Sequence, residues 1–270
     1  MAIFIALLYE KHFDGPNLVA LTTGNGNTLE ENVYYNNQKI LQILNRQDVP
    51  IYRGAKKSIV NTDVSVNYYG KDGLGDHSET YLNLVPARNE SAVTALIEYS
   101  KKYEGELTVL TIGALTNVAL AISIDPDFLG RLKHLHVGAG HIYSEETPDP
   151  EFNAQVDVEA YKIVVQNATP QNVTVYPFSQ VRKYFDFSKD WRMRALGGIK
   201  TSIVKYQNLF ESVSIHKEKR WQLLDPAVIA LFLRPDLVQQ YRYSKNDIFL
   251  CAKRTRNQNL SSTMTPGETM

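Results

Sequence analysis

Apolar residues recur along this chain in two alternating rhythms. Helical spacing, with apolar positions three and four residues apart, runs through 2–11, 29–44, 91–102, 115–124 and 156–166. Short, nearly continuous apolar runs of strand length fall between them, at 17–23, 107–112, 132–137 and 172–176. Breakers separate the two kinds: the Gly24-Asn25-Gly26-Asn27 turn, Gly113 and Pro126. A last helix begins at Pro226 and stops before Pro235. Strands alternating with helices predict an α/β fold, an open and mostly parallel, Rossmann-like sheet with helices on both faces. No internal repeat or linker is visible, so 1–270 reads as a single domain.

In such folds ligands sit beyond the carboxyl ends of the strands. The polar motifs fall there. Asn27 follows the first strand, Ile112-Gly113 ends the second, and the loop 138–153 follows the third. That last loop carries Glu151-Phe152-Asn153, a carboxylate and a carboxamide two residues apart. The pair suits a polyol such as a ribose, because a carboxylate accepts from two hydroxyls while a carboxamide both donates and accepts. Phe152 between them is expected to face the core.

Composition narrows the options. Apolar content is 43% and charged content 21%, as in ordinary globular domains. Twenty-nine basic residues balance twenty-nine acidic ones, and no basic run points to nucleic acid or to an anionic membrane. No stretch reaches transmembrane length. The segment 2–9 is apolar but short, without the basic start of a signal peptide, so the compartment stays open between cytoplasmic and secreted. The lone Cys251 excludes an internal disulfide framework and a cysteine-based zinc site.

Five segments together resemble the inosine-uridine preferring nucleoside hydrolases: GNGNTLEENVYYNNQKIL (24–41), YGKDGLGD (69–76), TIGALTNVALA (111–121), EFNAQVDVEA (151–160) and LDPAVIALFLRP (224–235). The resemblance implies hydrolysis of the N-glycosidic bond of a ribonucleoside, with calcium held by an aspartate cluster that orients ribose hydroxyls and water. It implies ribose contacts from Asn27, Glu151, Asn153 and Asp225, and metal contacts from Asp225 and the backbone carbonyl of Ile112. Glu145 falls where relatives place a further ribose-contacting asparagine. It also implies a homo-oligomer. The glycine-rich loop around Asp72 corresponds to one that closes over substrate in relatives. Asp157 and Glu159 read instead as helix N-terminal acids favoured by the helix dipole.

The pattern departs from the family in several places. The chain begins inside the helix that follows the family's first, aspartate-rich strand, so that strand and the base it carries are expected to be missing, and both ends read as clipped. Calcium binding is therefore expected to be weak or absent, since Asp225 and one carbonyl fall short of the usual 6–8 oxygen ligands. Leu224 stands where many relatives have a histidine that protonates the leaving base. Trp221 and His216 lie upstream and read as packed or surface residues. Two readings stay open: a nucleoside hydrolase, or a non-catalytic relative that binds ribose or nucleoside.

Overall fold

Six short strands pair in parallel and divide into two three-stranded sheets. The structure, a computed structural model, describes residues 1–60, 67–77, 81, 83–142, 150–248 and 259–263. The first sheet has the order β1 (Leu21–Thr22), β2 (Ile51–Arg53), β3 (Arg88–Ser91). The second has the order β4 (Thr108–Thr111), β5 (His134–Val137), β6 (Val173–Val175). Register in the second sheet is regular, from Thr108 opposite His134 to Val137 opposite Val175. Helices α1 (Ala2–Phe13) and α2 (Glu30–Ile43) flank the first sheet, and α3 (Ala92–Lys102) and α4 (Thr116–Ile124) lead into and out of β4. The short α5 (Phe128–Arg131), α6 (Phe152–Val156), α7 (Val158–Asn167), α8 (Phe178–Tyr184), α9 (Ser202–Phe210) and α10 (Leu224–Leu233) follow. An antiparallel pair, β7 (Ser244–Ile248) and β8 (Asn259–Thr263), comes last. No described helix is long and apolar enough to cross a membrane.

The expected α/β architecture is present, with helices on both faces. Alternation along β5 decides which side chain faces which layer. Leu135 and Val137 point into the main core, where Leu115, Val118, Ile122 and Phe128 meet Val158, Tyr161 and Val164 of α7. His134 and His136 point the other way; the His136 ring lies edge-on to Phe232 of α10, centroids 5.2 Å apart. A second core joins Leu7 of α1, Leu41 of α2, and Val49 and Ile51 at the start of β2. In a third, Phe4 stacks on Phe210 at 6.4 Å.

The elements differ from the periodicity in instructive ways. The run 17–23 is strand only at Leu21–Thr22, because the ladder to β2 reaches just those residues. β3, with the sequence Arg-Asn-Glu-Ser, is exposed throughout and has no apolar signature. The helical pattern at 156–166 is broken at Asp157, which ends α6 and caps α7.

Asp157 makes that break stable. Its side chain is fully buried. Oδ1 accepts from the Ala160 N–H at 3.1 Å, and Oδ2 accepts from Thr116 Oγ1 at 2.6 Å and from the Ile59 N–H at 3.0 Å. Ser58 Oγ adds a bond to the Val156 carbonyl. Asn117, one residue on, donates from Nδ2 to the Thr23 carbonyl at 2.7 Å and accepts from the Ala55 N–H at 2.9 Å. The two sheets are thus joined through side chains at their carboxyl ends. Gly54 is required in this seam, since a Cβ there would stand 1.9 Å from the Thr23 oxygen. Replacing Asp157 by Ala leaves several buried donors without an acceptor and removes a helix cap. We expect a loss of about 3–4 kcal/mol in chemical denaturation, with Asp157→Asn losing about half as much.

Candidate functional site

The carboxyl ends of β4 and β5 converge on the start of α10. Asp225 is the second residue of that helix, with Leu223 at the N-cap, so it lies in the first turn and does not cap it. Burial pushes its carboxyl up to about 6, against the opposing pull of the Met1 ammonium nearby. Asp225 lies within electrostatic reach of Glu151 and Tyr69. The Tyr69 hydroxyl is pushed well above its usual range, first by burial and then by Asp225. Sequence motifs from 69, 151 and 225 therefore do meet in one place.

Glu151 is 3% exposed and N-caps α6. Its Oε1 accepts from the Asn153 N–H at 3.0 Å, and its Oε2 accepts from Gly140 at 2.9 Å and Ala154 at 3.0 Å. Burial raises its pKa, while these three hydrogen bonds oppose the shift. Asn153, 6% exposed, donates from Nδ2 to the Gly138 carbonyl at 2.8 Å. In this structure the pair thus holds the backbone of the loop after β5, and any ribose contact is made by what remains of its hydrogen-bonding capacity. Phe152, expected to face the core, is only partly buried; the cap turns the two polar neighbours inward instead. Gly140 has φ 81°, and a Cβ on it would lie 2.7 Å from the Tyr161 hydroxyl, so glycine is needed at this turn.

The other expected positions are placed less fully. Asn27 is half-buried in the turn that joins β1 to α2. Ile112 directly follows β4, half-buried, where its carbonyl ends the strand. Glu145 lies outside the described residues, as does Cys251. Among the described residues, no three His, Cys, Asp or Glu side chains gather as a metal centre would require. Asp225 and the Ile112 carbonyl do not by themselves fit calcium, which takes 6–8 oxygens.

The glycine-rich loop is anchored to α2. Asn32 and Asn36 donate to the carbonyls of Lys71 and Asp72 at 3.1 and 2.8 Å. The Asp72 carboxylate accepts from the Leu74 and Asp76 N–H groups, so it shapes its own turn. His77 Nε2 reaches the Leu209 carbonyl at 2.9 Å.

A buried polar cluster was not foreseen. Arg192, 2% exposed, donates to Glu211 at 2.7 Å and to Asn208 at 2.8 Å, and Gln207 donates to the other Glu211 oxygen at 2.6 Å. The Arg192 guanidinium lies 5.5 Å from the Trp221 ring. Trp221 packs with Leu223 and Ala227, as expected of a core residue. Arg192 sits in a π-helical turn, Trp191–Leu196, a geometry enriched at functional positions. No local motif marks this pair, because its partners are 19 residues apart. His141 was missed too, although its place directly after Gly138-Ala139-Gly140 at a strand end was a signal.

Comparison with known proteins agrees with the geometry. The profile of inosine-uridine preferring nucleoside hydrolases matches residues 1–268. The pyrimidine-specific ribonucleoside hydrolase RihA of Escherichia coli O1:K1 / APEC is 30% identical over 227 residues, 81% of this chain and 71% of its own length. Among solved structures, a plant nucleoside hydrolase, the PpNRh1 enzyme, superposes with a TM-score of 0.85 at 22% identity, covering 99% of this chain and 84% of the other. The purine-preferring ribonucleoside hydrolase from Gardnerella vaginalis gives 0.79 at 20% identity, covering 97% and 85%. The structural likenesses establish the fold, and the profile and the RihA match establish the lineage: this chain belongs to the inosine-uridine preferring nucleoside hydrolase family.

Proposed function

We propose that the cleft at the carboxyl ends of β4 and β5 binds a ribonucleoside by its ribose and serves hydrolysis of the bond between the sugar and the base. The observation that carries this reading is the convergence of Asp225, Tyr69, Glu151 and Asn153 from three separate family motifs. Asp225 accepts ribose hydroxyls in its ionised form. Asn27 offers a carboxamide from the β1 side. Glu151 and Asn153 fix the Gly138–Gly140 backbone beside them. Calcium, where bound, would orient sugar and water; Asp225 and the Ile112 carbonyl would hold it weakly.

One observation favours a second reading, binding without turnover. N-glycosidic hydrolysis needs a group to take a proton from water, typically worth about 10²–10⁴-fold. Glu151 is occupied by three backbone N–H groups, and Glu211 by Arg192 and Gln207. Among the described carboxylates of the cleft, only Asp225 is left for both sugar and water.

Ribose release from inosine and uridine, followed with calcium and with chelator, separates the readings. We expect nucleoside binding to persist in chelator; turnover abolished by chelation would mean that a full calcium site assembles. Asp225→Asn should weaken nucleoside binding about tenfold or more by calorimetry. Wild-type affinity should fall as pH drops below about 6, where Asp225 takes up its proton, and the Asn variant should show no such step. Stability runs the opposite way. A carboxyl raised in the folded state makes the fold lose stability as pH rises from 3.8 to about 6, and Asp225→Asn should flatten that slope in pH-dependent denaturation.

A further inference from the structure

His141 stands on the segment that Glu151 and Asn153 hold. Its neighbour Gly140 donates to Glu151 at 2.9 Å, and Gly138, three residues back, accepts from Asn153 at 2.8 Å. The imidazole lies nearly parallel to the Phe178 ring, centroids 5.9 Å apart at 27°. The backbone on both sides is pinned to α8: the Phe178 N–H reaches the Gly140 carbonyl at 2.8 Å, and the Ile142 N–H reaches Ser179 Oγ at 3.0 Å. The Arg182 guanidinium lies 5.8 Å from the Phe178 ring centroid. The His141 ring is therefore backed by α8, on the loop that follows β5. Its Nδ1 is buried and has no hydrogen-bond partner among the described residues. Burial, and then the charge of Arg182, lower its pKa and keep it neutral at neutral pH.

Three other polar groups of the cleft, Glu151, Asn153 and Glu211, are bonded to protein, while Tyr69 keeps its proton. Leu224, beside Asp225, offers no hydrogen bond. A neutral imidazole backed by an aromatic ring presents a flat wall with a single polar edge. Ribose is matched by carboxylate and carboxamide; a wall of this kind matches a planar heterocycle. We propose that His141 is a specificity-determining contact to the nucleobase, made by the polar edge of its imidazole while Phe178 holds the ring in place. The proposal rests on the ribonucleoside reading above and assigns its base-side contact to a residue that no matched motif contains.

Two substitutions divide the roles of the ring. His141→Gln keeps a side-chain hydrogen-bonding group and loses the stack; His141→Phe keeps the stack and loses the hydrogen bond. By calorimetry, we expect His141→Phe to weaken inosine and uridine binding about tenfold and His141→Gln to weaken it less than about threefold, with ribose affinity unchanged in both. Full nucleoside affinity in His141→Phe, or equal losses for nucleoside and ribose, would overturn the contact while leaving the ribonucleoside reading intact. A wild-type chain that binds neither ribose nor nucleoside would overturn both. The wild-type chain also supplies a readout that needs no substitution: the His141 ring resonances should shift on adding inosine and stay in place on adding ribose, and the absence of that difference would sink the proposal even if a variant failed to fold.

Discussion

Backbone N–H groups at the carboxyl ends of parallel strands run out of ladder partners where the chain turns into buried loops, and a buried donor without an acceptor is costly. Buried carboxylates meet this demand here. Asp157 serves Ile59, Ala160 and the Thr116 hydroxyl, and Glu151 serves Gly140, Asn153 and Ala154. Glu30, 2% exposed, serves side chains instead, accepting from the Thr23 hydroxyl at 2.5 Å and taking a bidentate pair from Arg53. The loop that carries His141 depends on Glu151, and the seam between the sheets depends on Asp157.

This places structure and function in competition for the same side chains. A carboxylate that holds three backbone donors is well positioned but has little capacity left for a ligand, and Glu151 is in that state. Asp225 is in the opposite one: partly buried, raised by desolvation, and balanced by the charge of Met1 rather than by hydrogen bonds to neighbouring side chains. Desolvated groups whose charge is incompletely matched are found at functional sites, because they interact most strongly with whatever enters. The family motifs contain both kinds of residue, and only the three-dimensional arrangement separates the support from the contact.

Much of the fold was legible in the sequence. The long helices and the apolar strands β4, β5 and β6 announced themselves, because a strand covered on both faces reads as a short apolar run. β3 did not, since its residues are polar and exposed and its pairing is dictated by β2. The break between α6 and α7 was hidden inside a continuous helical pattern, because Asp157 looks like any helix-opening acid until its partners at Ile59 and Thr116 are known. The site followed the same division. Asp225, Glu151 and Asn153 stood out through motifs, and the structure places them near one another. Arg192 and Glu211 did not, because their meaning lies in a contact between α9 and a π-helical turn that no local spacing encodes.

The division of the parallel strands into two sheets has a consequence for how the molecule responds to substitution. Hydrogen-bonded ladders couple neighbours strongly, so each three-stranded sheet with its helices forms its own cooperative unit. Between β1 and β4 the described hydrogen bonds run through Asn117 and the Asp157 cluster, while helix packing, α3 on both β2 and α4 and α1 on α10, supplies the rest of the coupling. A substitution at Asn117 or Asp157 is therefore felt on both sides of the seam, because each of these side chains bonds to segments that belong to different sheets.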